Sequence, residues 1–500
     1  MLKKILAILL AMMSMFLFAA CGQTDNSGNS GDNSADSGKQ SVIAPDYSDS
    51  DLVMPTYGYT PPPLRNGIDY RTEERYKEYR DAGLNILLLQ SDDGYDGEAW
   101  DSSELKKKMD MAESAGNDKI IMFDQRLWRL CGYYDIGLVG SDKQFATTGQ
   151  LDDYVRNCVK DYSKHSAFYG IQLRDEPDIH KLKCMGDLYK SLKRVLPDAF
   201  IQINLFPANS SNMSRNYYTM DTAGKTLADC YKEYLLKFLE YSGADYIMFD
   251  SYPLAPSSIR ADHFTTLQVA NEVAEEKGVS VYAVAQTCSY SSNGSKKTRI
   301  CSEDDLYWQT NLYLGMGIKQ ISYFNYWRKK ASDNEEFFDN ASFINEAGEK
   351  TAIYGYMQNI HAEMQNLAKV ILNFNYKGCK VVAPTPSDFS TSYLGGLVEA
   401  DLAKISDLKA EANDAALITE LYDEKNGNYM YMLQNILDPI LDDDEEEPCN
   451  TDLTLTVTFK DLKAGKLIVY DKGNPTTVEL DGGKYTITLK AGYAVYVIPY

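Results

Sequence analysis

Histidine is scarce in this chain of 500 residues, which has only His165, His180, His263 and His361. No G-x-S-x-G stretch accompanies them, so a Ser-His-Asp hydrolase built on a nucleophile elbow has little to draw on. Nine cysteines occur, yet no two form C-x-x-C and none has a histidine at ligand spacing, which argues against zinc. Cys158, Cys184 and Cys230 fall inside amphipathic stretches, where a small buried hydrophobe is the simplest role. Positive charge is short too: 50 Lys and Arg against 72 Asp and Glu leave a net charge of -22. A nucleic acid or an anionic membrane face would be repelled, while neutral substrates remain open. A glycine-rich phosphate-binding turn is missing after the first strand, where the chain reads YGYTPPPLRNG, so a dinucleotide fold is disfavoured. No cofactor is called for.

Only one apolar run is long enough to interest a membrane, and it comes first. Residues 1–20 join Lys3 and Lys4 to an apolar stretch ending in small residues before Cys21, the pattern of a secretory signal. LFAAC resembles a bacterial lipobox, which implies lipidation of Cys21 and a chain anchored at the extracellular face of the cell membrane. An ordinary cleaved signal or an anchoring helix is the competing reading, and Phe18 departs from the usual aliphatic residue. Residues 21–50 are a polar tether with nothing to bury.

From residue 51 to 372 short apolar runs alternate with amphipathic helical stretches, the pattern of parallel βαβ units. Strands are expected at 52–60, 85–90, 119–124, 168–176, 199–207, 245–253, 279–287 and 319–327. Gly243 is expected to close one helix, and Ser302 with Asp305 to form a capping box on another. Eight such repeats predict an α/β fold of the (β/α)8 TIM-barrel type. Residues 373–500 change to period two, with Asn426-Gly427 at a hairpin turn, and predict a small C-terminal antiparallel β-sandwich. The acidic run at 442–449 reads as a solvated loop.

In such a barrel the chemistry sits at the carboxyl ends of the strands. Those ends hold Gln90, Asp92 and Asp93; Asp124 and Arg126; Arg174, Asp175, Glu176 and Pro177; Asn204 and Phe206; Asp250 and Tyr252; Gln286; and Asn325, Tyr326 and Trp327. Strict alternation along the fourth strand turns Gln172, Arg174 and Glu176 inward and Asp175 outward. A salt bridge between Glu176 and Arg174 is the structural alternative to catalysis.

The order GIQLRDEP, FDSYP, AVAQT, YFNYW resembles the clan-A (β/α)8 glycoside hydrolases, most of all the beta-galactosidase family 42 group. The resemblance implies that Glu176 is the general acid/base and Trp327 the floor of a sugar subsite. It departs where the strand-seven glutamate nucleophile should stand, because Gln286 occupies that place and an amide cannot form a glycosyl ester. Asp250 is the first substitute as second carboxylate, Glu335 and Glu336 the second, while Glu303 is better explained by helix capping. Arg174, Asn204, Gln286 and Asn325 are expected to hold sugar hydroxyls. Tyr57, Tyr252, Tyr326 and Trp327 are expected to stack on ring faces, packing being the alternative for each. The expected function is an extracellular glycoside hydrolase acting on a carbohydrate. A glycan-binding surface lipoprotein on a degenerate hydrolase barrel, without turnover, is the alternative that Gln286 supports.

Overall fold

The computed structural model describes residues 43–90, 99–130, 132, 136–332, 334–382, 392–410, 415–441 and 452–500. The expected signal, Cys21, most of the expected tether, the strand-two end at Asp92 and Asp93, and the acidic run at 442–449 lie outside them.

Eight parallel strands follow the apolar runs: β1 (Thr56–Gly58), β2 (Leu87–Gln90), β3 (Ile120–Phe123), β4 (Phe168–Asp175), β5 (Phe200–Asn204), β6 (Tyr246–Asp250), β7 (Ser280–Gln286) and β8 (Gln320–Phe324). They pair as two four-stranded sheets, in the orders β1-β8-β7-β6 and β2-β3-β4-β5. The described ladders stop short of one continuous ring, but the sheet edges meet at two seams. At one, Leu205 N donates to Met248 O at 2.8 Å; at the other, the amides of Asn85 and Ile86 both donate to Thr56 O at 3.0 Å. Of the closed barrel expected from the repeats, the described residues have the eight parallel strands, in two sheets with a few bonds at their edges and no continuous ring.

Helices separate the strands: α1 (Glu73–Asp81), α2 (Glu104–Ser114), α3 (Gln125–Leu130), α4 (Thr148–Val159), α5 (Leu182–Val195), α6 (Leu227–Ser242), α7 (Ala261–Lys277), α8 (Glu303–Gly315) and α9 (Ala352–Ile371). Gly243 ends α6 at φ 68°, a left-handed position that a Cβ would disfavour. Ser302 and Asp305 form the capping box of α8. That helix is apolar or buried nearly all round because a second layer covers its outer side. Its Trp308 indole donates to Ile436 O at 3.1 Å, and a Cβ at Gly315 would collide with Met432.

The covering layer is antiparallel: β9 (Asn375–Val382), β10 (Ile405–Ala410), β11 (Ala416–Asp423), β12 (Asn428–Asn435), β13 (Leu453–Phe459), β14 (Lys466–Asp471), β15 (Asn474–Glu479), β16 (Lys484–Leu489) and β17 (Ala494–Pro499). A six-stranded sheet, β9-β11-β12-β17-β14-β15, faces a three-stranded one, β10-β13-β16. Alternation sets what each face touches: Ile418 and Leu433 bury between the two sheets, while Leu417 and Met432 join the core shared with the helices. Arg299, between Asp305 and Asp438 at 2.5 Å from each, ties the layers together. The described cysteines Cys158, Cys184, Cys230, Cys288, Cys301 and Cys379 are free thiols, all buried.

Candidate active site

β4 carries one residue more than its neighbour. Gln172 pairs with Gln202, but Arg174 pairs with Ile203 and Asp175 with Asn204. A bulge of this kind reverses the alternation beyond it. Asp175, expected outward, therefore shares a side with Asn204, whose Nδ2 donates to its Oδ1 at 2.8 Å. Arg174, expected inward, takes the other side, with its guanidinium 4.4 Å from the centre of the Trp128 ring on α3. Glu176 then adopts a left-handed backbone, φ 43°, while its N–H donates to Asn204 O at 2.8 Å. For a residue with a Cβ this conformation costs about 1 kcal/mol. It turns the chain so that two consecutive carboxylates join one cluster, which alternation alone forbids.

The third member is Asp250, at the end of β6 and buried. Asp250 lies near enough for its charge to act on Glu176. Asp175 and Glu176 have an outer side open to solvent, yet the wall around them strips away enough water to favour their neutral forms. Glu176 is held well above the usual carboxylate range by that desolvation, then by the charges of Asp250 and Asp175, with Lys329 pulling the other way. Asp250 is pushed up to about 7, first by burial and then by Asp175, while Tyr252 and Asn204 favour its charged form. No hydrogen-bond donor reaches Asp250 Oδ1. Like charges gathered in a desolvated cluster keep protons above the usual carboxylate range.

Tyr252 stands half-buried at the rim, stacked on Phe324 with centroids 5.6 Å apart, and Asn204 lies within the cluster. Five other expected contacts are placed elsewhere. Gln286 is fully buried and clasped by backbone: Nε2 donates to Leu254 O at 3.2 Å and Arg299 O at 3.3 Å, and Oε1 accepts from Leu254 N at 3.0 Å. Its amide fastens the loops after β6 and β7 rather than facing a ligand. Asn325 is buried, its Oδ1 accepting from Ser342 Oγ at 2.5 Å. Tyr326 packs on Tyr79, centroids 4.6 Å apart, and Trp327 lies beneath Tyr70 at 4.7 Å with no exposed surface. Neither is a sugar platform here. Tyr57 is likewise buried, directed at Met248.

Gln286→Glu tests this placement. A carboxylate there would face two carbonyl oxygens and lose both donated bonds, so the variant is expected to lose about 3 kcal/mol in urea unfolding. It is expected to gain no turnover. A variant as stable as the parent would contradict the clasp.

Several site residues escaped sequence reasoning. Lys329 projects its ammonium 5.7 Å from the Phe324 ring centre and 5.5 Å from that of Phe337, and its charge reaches Asp175 and Glu176. Phe324, half-buried, stacks on Tyr252 where Trp327 is covered. Tyr59 accepts from Gln202 Nε2 at 2.5 Å and feels the charges of Asp175 and Asp250. The inward parity of Phe324 on β8 was the available signal; nothing marked Lys329. Among the described residues no group of three or more His, Cys, Asp or Glu is arranged to hold a metal ion.

Among protein-family models and among curated proteins, no match is found. Among solved structures, the chain is similar to a glycoside hydrolase family 5 protein from Bacteroides vulgatus, at 12% identity and TM-score 0.48, covering 90% of this chain and 88% of that one. It is also similar to an Anoxybacillus alpha-amylase, at 11% identity and TM-score 0.45, covering 91% and 99%. A GH30 endoxylanase from Clostridium papyrosolvens matches at 11% identity and TM-score 0.38, covering 90% and 97%.

Proposed function

We propose that this chain is an extracellular glycoside hydrolase whose eight parallel strands form a (β/α)8 barrel, with Glu176 as general acid/base and Asp250 as its partner carboxylate. One observation carries the reading: at the carboxyl ends of β4 and β6, Glu176 and Asp250 are both held above the usual carboxylate range, Asp250 acting on Glu176, with Tyr252 stacked on Phe324 nearby. Glycosidic cleavage needs one carboxyl that enters protonated and another that acts as a base or nucleophile. Carboxyls whose proton affinity is raised towards neutrality supply both forms. The role of proton donor falls to Glu176, the more accessible carboxyl.

Asp175 is assigned the role of positioning and charging the pair through Asn204. Tyr252, kept neutral by burial and by Asp250, donates a hydrogen bond at the cleavage point. The family 42 likeness and the Cys21 lipid anchor belong to the same reading, resting on sequence motifs. The alternative, a glycan-binding protein without turnover, is favoured by Gln286 standing where a strand-seven nucleophile is expected. Incubating the mature protein with a broad panel of oligosaccharides and following reducing ends decides between them. Binding with no cleavage anywhere in the panel would favour the alternative.

The Lys329 charge lowers the pKa of Glu176, so Lys329→Met should raise it. An acid that must be protonated to work is lost as pH rises through its pKa. The alkaline limb of kcat/KM is therefore expected to move to higher pH in Lys329→Met, and a profile that stays put would remove Lys329 from the site.

A further inference from the structure

The acid cluster borders a region of opposite sign. A cleft of about 750 Å³ opens between the proline-rich segment at residues 61–63 and the loop after β8. Its described wall includes Arg65, Arg71, Lys108, Lys329 and Lys330 and no carboxylate. In a chain with 72 acidic and 50 basic residues, composition does not produce such a wall. Arg71 is already held by Asp69 at 2.7 Å and Lys108 is almost wholly buried, so the argument rests on the other three. Lys329 and Lys330 are exposed, and among the described residues neither has a carboxylate at ion-pair distance. The Arg65 side chain donates to Arg328 O, and both burial and the Arg328 charge disfavour its cationic form. An anion in the cleft would relieve that contact. Lys329 fixes where the cleft leads, because the same ammonium stands over Phe324 and acts on Asp175 and Glu176.

We propose that this cleft is a subsite for an anionic group on the glycan, a uronate carboxylate or a sulfate ester, held by Arg65, Lys329 and Lys330 beside the bond to be cleaved. The proposal rests on the glycan reading above and names the class of glycan. An arginine fork with two ammonium groups suits a planar carboxylate or the oxygens of a sulfate. The overall charge of -22 does not oppose this, since at physiological salt fields are screened beyond about 8 Å and the cleft's own cations act at contact.

The test is a glycan array probed with the Glu176→Gln protein, carrying uronate-containing, sulfated and neutral oligosaccharides. Uronate or sulfated glycans, whichever class is the source, are expected to bind about tenfold or more tighter than neutral ones. That preference should fall as salt is raised and disappear in Arg65→Ser/Lys330→Glu, with Lys330→Glu alone giving a partial loss if the double variant fails to fold. Equal binding of neutral glycans, binding of no anionic glycan, or an unchanged preference in folded Lys330→Glu would overturn the subsite. Cleavage confined to neutral glycans would overturn it while leaving the hydrolase intact. Salt-sensitive binding of anionic glycans without cleavage by the parent protein would support it while defeating the hydrolase.

Discussion

Glu176→Gln is expected to lower kcat by about 10³-fold on a natural glycan, the usual contribution of a positioned proton donor. The amide has the carboxyl's shape, and the backbone bond from Glu176 N to Asn204 O needs no side chain, so the fold should be kept. Its role as proton donor gives a sharper signature than loss of rate. A sugar alcohol leaves only if it is protonated, whereas a dinitrophenolate leaves unaided. The loss should therefore be large on the natural linkage and slight in the first step of a dinitrophenyl glycoside. Equal losses on both would assign Glu176 another role, and full activity on the natural linkage would remove it from the mechanism.

Asp250→Asn is expected to reduce turnover by about 10³-fold or more with either leaving group, because a base or nucleophile is needed whatever departs. The same change should stabilise the protein, and pH reveals why. Asp250 has a folded pKa of about 7 against an ordinary value of 3.8, so between those limits the folded state holds more protons than the unfolded one. Its contribution is complete below about pH 4, declines as pH rises through 7 and then levels. Asparagine carries no such dependence. The parent and Asp250→Asn should melt alike near pH 4, with the variant melting higher at pH 8. A gap that does not change with pH would mean that Asp250 is not held neutral by its surroundings. Opposite signs for activity and stability are what a site assembled from crowded like charges predicts.

The eight strands were legible because each is an apolar run that must be covered on both sides, and the helices because their apolar faces and caps are local. Ser302 with Asp305, and Gly243, are read within a few residues of where they act. The hairpin at Asn426-Gly427 is local in the same way: Asp423 pairs with Asn428, and Gly427 has φ 71°. Glu176 was legible as a strand-end carboxylate. Its neighbour was not, because the parity of Asp175 depends on the bulge at Leu173, which exists only in the pairing of β4 with β5. Gln286 misled for a related reason. Position at a strand end suggests a ligand contact, but the loops carrying Leu254 and Arg299 fold over it, and those lie 32 and 13 residues away. Trp327 and Tyr326 were displaced from the site by their packing on Tyr70 and Tyr79, again from distant segments.

By itself, then, the sequence determined the elements, their order, the change from parallel to antiparallel structure, and Glu176 and Asp250 as the candidate carboxylates. Those features follow from periodicity and composition, which act over a few residues. Tertiary structure alone decided that Asp175 turns to the side of Asn204, which aromatic ring remains open to a ligand, and that the Lys329 charge reaches the acids. These depend on a one-residue slip between paired strands and on loops closing from far along the chain, and neither leaves a local trace.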